Sequence, residues 1–227
     1  MDSATYQRIE KLKVPVADLA DGCRHAGLPV RMANAAMRPG VPFSRLAGTA
    51  VTVREYLAEA KADYAAQIAN VYDLGRSVER AVLVIKHEVP RFTPMGSGGS
   101  RVARAHGYVG CVVDGPIRDT QELVDLGFPL FGTSICADSL APHMMPAGKS
   151  VHFEIGKSVA IAGITISPGD AVVADNDGLI AIDPADLPAA LAEAEKIVGL
   201  EARIFSLLDQ GKTFREILAI LAQPQSG

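Results

Sequence analysis

The sequence predicts a single α/β domain in which helices flank a central mixed, largely parallel sheet and a long helix follows at the C-terminus. Two continuous apolar runs, residues 81–85 and 109–113, are typical of strands that are buried on both faces of a sheet. Helical patterns alternate with these runs over short links, as they do in βαβ units. Apolar residues at helical spacing over 184–211 predict the long amphipathic helix. The predicted domain spans residues 1–227, and this helix is the first part of a C-terminal helical extension over about 184–222.

The other elements follow from the spacing of apolar residues and from turn signals. Residues 2–27 predict two helices that are separated at Val14–Pro15, because proline is tolerated only in the first turn of a helix. Residues 96–100 predict a glycine-rich loop, and 158–182 predict hairpins, because glycine, asparagine and aspartate favour turns. The remaining predictions are strands at 47–54 and 129–131, and helices at 57–76, 101–106, 120–126 and 214–221.

Composition excludes several classes of protein. The chain has 227 residues, of which 48% are apolar and 21% are charged, so it can bury a core that a disordered chain could not. A net charge of −4 argues against a nucleic-acid partner, which usually requires a basic face. No apolar stretch approaches the roughly 18 residues of a membrane span, and no apolar signal segment opens the chain. Three cysteines without a close pair favour a reducing compartment, so a cytoplasmic protein is expected.

Several familiar motifs fail on spacing. Three Gly-Lys-Ser/Thr triplets lack the upstream glycine that a phosphate-binding loop requires. The Gly96-Ser-Gly98 start of a dinucleotide fingerprint is followed by Arg101, where the third glycine should stand. The histidines show no metal-ligand spacing, and Cys111 lies inside an apolar run. A structural or solvent-facing role is therefore expected for each histidine, and a core position is expected for Cys111.

Two polar segments lie where α/β sheets place their chemistry, just beyond the carboxyl ends of buried strands. In 96–100, glycines let the backbone approach a ligand, and free N–H groups at the next helix start favour a carboxylate or phosphate. A plain flexible loop is the alternative. In 114–119, which Glu122 follows one turn later, Arg118 can hold a carboxylate with two hydrogen bonds. Asp119 can ligate Mg²⁺, which needs only one or two protein carboxylates. These adjacent side chains are expected to diverge, and a surface ion pair is the alternative.

A known family pattern occurs in the segment GSGGSRVARAHGYVGCVVDGPIRDTQEL, in AGTAVTV upstream and in SPGDAVVADNDGLIAI downstream. On these motifs the chain resembles the regulator-of-ribonuclease-activity-A-like (RraA-like) proteins from about residue 16 to 211. That superfamily includes the class II 4-hydroxy-4-methyl-2-oxoglutarate / 4-carboxy-4-hydroxy-2-oxoadipate aldolases. The resemblance implies a swivelling β/β/α-like fold and a homotrimer or hexamer with sites between subunits.

The resemblance also implies an activity and a set of site residues. The expected enzyme is a lyase that depends on Mg²⁺ or Mn²⁺ and acts on pyruvate-like 2-oxo acids. By this resemblance Arg118 binds the carboxylate of the 2-oxo acid, with help from the backbone N–H groups of Gly98 and Gly99. Asp119 corresponds to the metal ligand. Glu201, from the C-terminal helix of a neighbouring subunit, is the candidate for holding metal-bound water.

The position of Glu201 is also unusual on the pattern alone. Counting 194, 198, 201, 205 and 208 places this carboxylate on the apolar stripe of the predicted helix, where it is costly unless paired. The alternative is that the helix breaks at Gly199, so that the face with Glu201 points in another direction and the carboxylate is not on the apolar stripe.

One residue departs from the aldolase pattern. The aldolases carry an acidic residue twenty-one positions before the arginine, and this chain has Ser97 there. Retro-aldol cleavage must remove a proton from the substrate alcohol, and a hydroxyl is a poor base near neutral pH. Decarboxylation of oxaloacetate needs no base, so it is the firmer expectation, with Ser97 kept among the catalytic candidates. The alternative is a non-catalytic RraA-like protein that binds and regulates a ribonuclease, since such members also lack the acid.

Overall fold

A computed structural model describes residues 2–33, 37–89, 91–139 and 145–222. The helices are α1 (Ser3–Lys11), α2 (Pro15–His25), α3 (Tyr64–Asp73), α4 (Ser97–Ala105), α5 (Thr120–Leu126), α6 (Leu187–Asp209) and α7 (Phe214–Leu221), with a 3₁₀ turn at Leu74–Ser77. The strands are β1 (Arg31–Met32), β2 (Arg38–Pro39), β3 (Leu46–Ala58), β4 (Ala81–His87), β5 (Gly110–Asp114), β6 (Pro116–Ile117), β7 (Leu130–Gly132), β8 (Ser134–Ile135), β9 (Ser150–Ile155), β10 (Val159–Ile161), β11 (Ile164–Ile166), β12 (Ala171–Asp175) and β13 (Gly178–Ile182).

The central sheet is mixed, which confirms the predicted α/β fold. Its strand order is β1-β13-β12-β3-β4-β5-β7-β2, and β9 pairs with the second half of β3. The pairing is parallel across β3, β4, β5 and β7, whereas the outer strands and β9 pair antiparallel. The parallel strands point their carboxyl ends toward one edge of the sheet, and that edge is where the polar segments after β4 and β5 lie.

Side chains of the central strands alternate between two apolar layers. In β4, Leu83 and Ile85 face the layer that also holds Ala103 of α4 and Leu123 of α5. Val84 faces the opposite layer, which the hairpin of β10 and β11 covers. Cys111 lies in the first layer and is fully buried, so its predicted core role is confirmed. Burial also raises the pKa of the Cys111 thiol, which keeps it protonated and unreactive.

The N-terminal helices and the long C-terminal helix form a third apolar layer. The chain breaks between α1 and α2 at Val14, and Pro15 opens α2, as predicted. Helix α2 packs along α6, whose first half is buried through Leu187, Leu191 and their neighbours. The second half of α6 and α7 expose large apolar side chains, namely Leu200, Phe205, Leu208, Phe214 and Leu218. Within the described residues, no helix is both long and apolar enough to cross a membrane.

Two sequence predictions were wrong in detail. The helix predicted over 57–76 begins at Tyr64, because Leu57 and Ala58 continue β3 in antiparallel pairing with β9. The side chain of Asp63 accepts a hydrogen bond of 3.1 Å from the Ala66 N–H and caps this helix. The loop predicted over 96–100 is the first turn of α4, which begins at Ser97 instead of residue 101. Strand β9 was not predicted, although apolar residues alternate within it.

Candidate active site

The two polar segments identified in the sequence meet at the carboxyl ends of β4 and β5. The Arg118 N–H donates a hydrogen bond of 3.3 Å to the Met95 carbonyl, and Met95 and Ile117 form a parallel bridge. Gly96 and the start of α4 therefore lie directly against Arg118 and Asp119. The predicted juxtaposition at this edge of the sheet is present in the fold.

A single carboxylate oxygen joins the two segments. Asp119 Oδ2 accepts a hydrogen bond of 3.0 Å from the Ser97 N–H and lies 3.3 Å from Ser97 Oγ. A Cβ atom on Gly96 would lie 2.4 Å from this oxygen and 2.8 Å from Arg118 Cγ, so a side chain at this position would displace the carboxylate. The glycine at position 96 thus permits a close approach, but the approaching group is the protein's own aspartate and not the ligand that the sequence predicts.

Gly98 and Gly99 occupy the first turn of α4, where backbone N–H groups have no partner within the helix. The first intrahelical bond of this end runs from Ser100 N–H to the Gly96 carbonyl, at 3.0 Å. Because Asp119 takes the N–H of Ser97, the N–H groups of Gly98 and Gly99 are the ones that remain for a ligand. Gly98 is exposed, and no heavy atom lies within 4 Å of a Cβ built on it. The helix start therefore keeps its predicted capacity to receive a carboxylate.

The side chains of Arg118 and Asp119 converge, contrary to the expectation that they diverge. Arg118 Nε lies 3.4 Å from Asp119 Oδ2, and Arg118 Nη1 lies 3.5 Å from the Ala137 carbonyl. The cause is the left-handed backbone of Asp119, with φ of 58°, which turns its side chain back toward the arginine. Such a conformation is uncommon outside glycine and is enriched at functional sites. Both side chains are about one-third exposed, so the pair lies at a surface that a ligand can reach.

Glu122 is a fourth member of this cluster, and its role is not evident from the sequence pattern. Its Oε2 lies 2.5 Å from Ser97 Oγ. The hydroxyl has one hydrogen to donate, yet it lies between the carboxylates of Glu122 and Asp119. The group therefore holds more acceptors than donors. The spacing Asp119-x-x-Glu122 at a helix start is a capping-box-like signal that could have drawn attention to this residue.

This donor set fits a hard divalent cation. Mg²⁺ and Mn²⁺ prefer carboxylate oxygens, and Mg²⁺ needs only one or two from the protein because it keeps several waters. Asp119 and Glu122 provide them. The part of the chain that the structure describes contains no group of three or more His, Cys, Asp or Glu residues that could enclose a metal. Two protein carboxylates would leave the other coordination positions of such a cation to water and substrate. The two carboxylates and Arg118 leave one negative charge, so a dication would create a net positive site for a monoanion.

Glu201 lies on a different part of the fold. It is exposed on α6, which packs against α2 on the β12–β13 side of the sheet, whereas Arg118 follows β5. Burial is the main cause that raises the pKa of Asp18 in α2, and the negative charge of Glu201 adds to it. The structure does not bring Glu201 to Arg118 and Asp119 within one chain. Its role from a neighbouring subunit stays a prediction.

His87 and Glu55 form a buried pair near the same edge of the sheet. His87 Nδ1 lies 2.7 Å from Glu55 Oε2, and Nε2 lies 2.8 Å from the Phe92 carbonyl. Because a carbonyl only accepts, Nε2 must carry a hydrogen. Both ring nitrogens are engaged, which supports the structural role expected for this histidine. The pair ties β3 and β4 to the turn that leads toward Gly96.

Comparison with known proteins identifies the family. The sequence model of RraA-like proteins (Aldolase/RraA) matches residues 16–181. The chain belongs to the RraA-like family. A relative from Deinococcus radiodurans, named "Putative 4-hydroxy-4-methyl-2-oxoglutarate aldolase", is 39% identical over 79 residues, which cover 34% of this chain and 44% of that protein. The chain spans about half the length of the curated relatives it matches.

Solved structures show the same RraA-like fold. An uncharacterized protein from Pseudomonas syringae superposes with a TM-score of 0.76 at 22% identity, covering 97% of this chain and 95% of that one. A Streptomyces coelicolor protein, described as an unusual member of the RNase ES inhibitor RraA family, gives a TM-score of 0.70 at 20% identity. This superposition covers 91% of this chain and 96% of the Streptomyces coelicolor chain. At these identities the likeness establishes the fold alone.

Proposed function

We propose that this RraA-like protein is a lyase that depends on Mg²⁺ or Mn²⁺ and releases pyruvate from pyruvate-like 2-oxo acids. The observation that carries the proposal is the convergence of Arg118, Asp119, Glu122 and Ser97 at the start of α4. A guanidinium, two carboxylates and free helix N–H groups together match a 2-oxo acid held beside a dication. The close contact of Asp119 with Gly96 and Ser97 holds the carboxylate in place, which a solvated surface ion pair would not do.

In this proposal each residue has a defined task. Arg118 and the N–H groups of Gly98 and Gly99 bind and orient the substrate carboxylate. Asp119 and Glu122 would hold the cation, which supplies positive charge beside the 2-oxo oxygen. Decarboxylation of oxaloacetate breaks the bond to the second carboxyl group, releases CO₂ and leaves an enolate, which takes up a proton to give pyruvate. This step needs no base, so Ser97 does not prevent it.

The assay follows pyruvate with lactate dehydrogenase, using oxaloacetate or 4-hydroxy-4-methyl-2-oxoglutarate as substrate. Free divalent cations decarboxylate oxaloacetate slowly, so the control is the Asp119→Asn variant at the same cation concentration. We expect activity that EDTA removes, that added Mg²⁺ or Mn²⁺ restores, and that Asp119→Asn lacks. Equal rates of pyruvate release for the wild type and Asp119→Asn would reject the proposed lyase activity.

The second candidate is a non-catalytic regulator that binds a ribonuclease. Ser97, in place of the acidic residue of the aldolase pattern, favours it, and a structural relative is described as belonging to an RNase ES inhibitor family. Asp119→Asn distinguishes the two functions, because it should abolish lyase activity and leave inhibition of a ribonuclease intact.

We also propose a homotrimer or hexamer, in which a neighbouring chain supplies Glu201. The exposed apolar side chains of α6 and α7, such as Phe205 and Phe214, support burial of this region against another copy. Analytical ultracentrifugation at micromolar concentration tests this assembly, and a monomer would contradict it.

A further inference from the structure

A cavity of about 480 Å³ lies at the edge of the sheet opposite to the candidate active site. Its walls include Leu46, Arg80, Val109 and Pro129, which stand at or just before the amino ends of the four parallel strands. Arg118 and Asp119 follow the carboxyl end of β5 instead. The volume lies in the range of small-molecule sites and is far larger than pyruvate requires. A ligand that fills this cavity would therefore be larger than the proposed substrate.

The walls of this cavity are apolar, but its charged residues are mostly cationic. Leu46, Val109 and Phe128 provide apolar surface. The charged lining consists of three arginines, Arg45, Arg80 and Arg104, and one acid, Glu10. This local excess of positive charge contrasts with the net charge of −4 for the whole chain. A neutral apolar ligand would gain nothing from it, whereas an anion with an apolar body would.

Two of the arginines are anchored in place without a charged partner. Arg80 pairs with Glu10 at 2.5 Å, which neutralises it. Arg45 instead donates to the Leu12 carbonyl, and Arg104 Nη2 donates to the Leu126 carbonyl at 2.6 Å. Neither Arg45 nor Arg104 has an acidic partner among the residues that the structure describes. Each keeps most of its five N–H groups available, and the carbonyl contact limits its side-chain motion.

The carbonyl contacts have a simpler structural explanation, since Leu12 and Leu126 lie at the C-terminal ends of α1 and α5, where arginines commonly cap helices. Capping uses one N–H group of each guanidinium and does not require that both arginines border one cavity. Capping therefore accounts for how these side chains are held, and both residues are exposed at the cavity, where an anion can reach them.

We propose that this cavity binds a small amphipathic anion, with its carboxylate or phosphate head between Arg45 and Arg104 and its apolar body against Phe128, Val109 and Leu46. The site is separate from the lyase site and does not depend on the proposed lyase activity. An occupant here would contact the amino ends of the same strands whose carboxyl ends carry Arg118 and Asp119.

The experiment is calorimetric titration of the full-length protein with octanoate, octyl phosphate and octanol. The three share one apolar chain, so the comparison isolates the head group, and the stronger of the two anions identifies its chemistry. We expect saturable binding of at least one anion, with octanol at least tenfold weaker. The double variant Arg45→Gln/Arg104→Gln should lose at least tenfold in affinity for that anion. The matched control Arg203→Gln/Arg215→Gln, which removes the same charge from α6 and α7, should not.

Three results would overturn the proposal. Binding of octanol as tight as that of the anions, measured on the unmodified protein, would show that the arginines contribute nothing, whatever the folding of the variants. An equal loss in the control variant would reduce the effect to net charge. Loss of binding in Asp119→Asn would place the anion in the candidate active site. A protein without lyase activity that still binds the anion would reject only the proposed function.

Discussion

Gly96 is the residue at which the geometry of the candidate site can be tested most directly. A Cβ atom there would lie 2.4 Å from Asp119 Oδ2, whereas ordinary contacts are about 3.5 Å. In Gly96→Ala the carboxylate must therefore retreat by about 1 Å. The 3.0 Å hydrogen bond from the Ser97 N–H would then exceed hydrogen-bonding distance. A displacement of this size can cost about 100-fold in rate, so we expect a loss of that order in kcat/KM.

The assay combines Mn²⁺ affinity by electron paramagnetic resonance, pyruvate release and the thermal midpoint. Overpacking at Gly96 should cost about 1–3 kcal/mol of stability, which leaves a folded protein for measurement. Gly199→Ala is the matched control, because Gly199 is exposed on α6 and a Cβ there meets no heavy atom within 4 Å. This control should keep its Mn²⁺ affinity and gain about 0.5–1 kcal/mol, since alanine favours the helix. Wild-type Mn²⁺ affinity and activity in Gly96→Ala would refute the assigned role of Asp119.

Three further predictions concern Glu122, Asp18 and Cys136. Glu122→Gln should weaken Mn²⁺ binding about tenfold, since it removes one of the two carboxylates beside the Ser97 hydroxyl, and unchanged affinity would exclude Glu122 from the site. Burial raises the pKa of Asp18, so the stability that its protonated form provides is complete below its unfolded pKa of about 3.9 and is lost as the pH rises through the folded pKa. Asp18→Asn should therefore melt higher than the wild type at pH 7, and this difference should vanish near pH 3. Cys136 is partly exposed and the other two cysteines are buried, so one thiol should react quickly with Ellman's reagent, and Cys136→Ser should abolish this phase.

The sequence predicted the elements whose signal is local and missed those that depend on contacts. The runs 81–85 and 109–113 are apolar throughout because both faces of their strands are buried, so their pattern sufficed. The start of α4 was placed four residues late, because glycine disfavours helix on propensity alone. Residues 97–100 are nevertheless helical, since the first N–H of the turn is held by Asp119, a residue twenty-two positions away.

The same limit applies to the candidate site. Arg118 and Asp119 could be selected from residue chemistry and from their place after a buried strand. Their convergence could not, because it depends on the left-handed backbone of Asp119, which no pattern in the sequence specifies. Glu122 was overlooked for a related reason. Its partner is Ser97 on another helix, and contacts between helices leave no periodic trace in one chain.

The position of Glu122 also changes how the serine at position 97 should be interpreted. On the sequence alone, a serine in place of an acidic residue removes negative charge from the position and weakens the case for retro-aldol chemistry. In the fold, that hydroxyl lies 2.5 Å from Glu122 Oε2 and 3.3 Å from Asp119 Oδ2, so two carboxylates remain beside it. Negative charge is therefore still present beside the position at which the aldolase pattern has an acid. A hydroxyl flanked in this way can donate its hydrogen to only one of the two carboxylates, and Asp119 already accepts a hydrogen bond from the Ser97 N–H. The serine is thus weaker evidence against an enzyme than its position in the sequence suggests. The measurement that decides between lyase and regulator is whether the site binds a divalent cation.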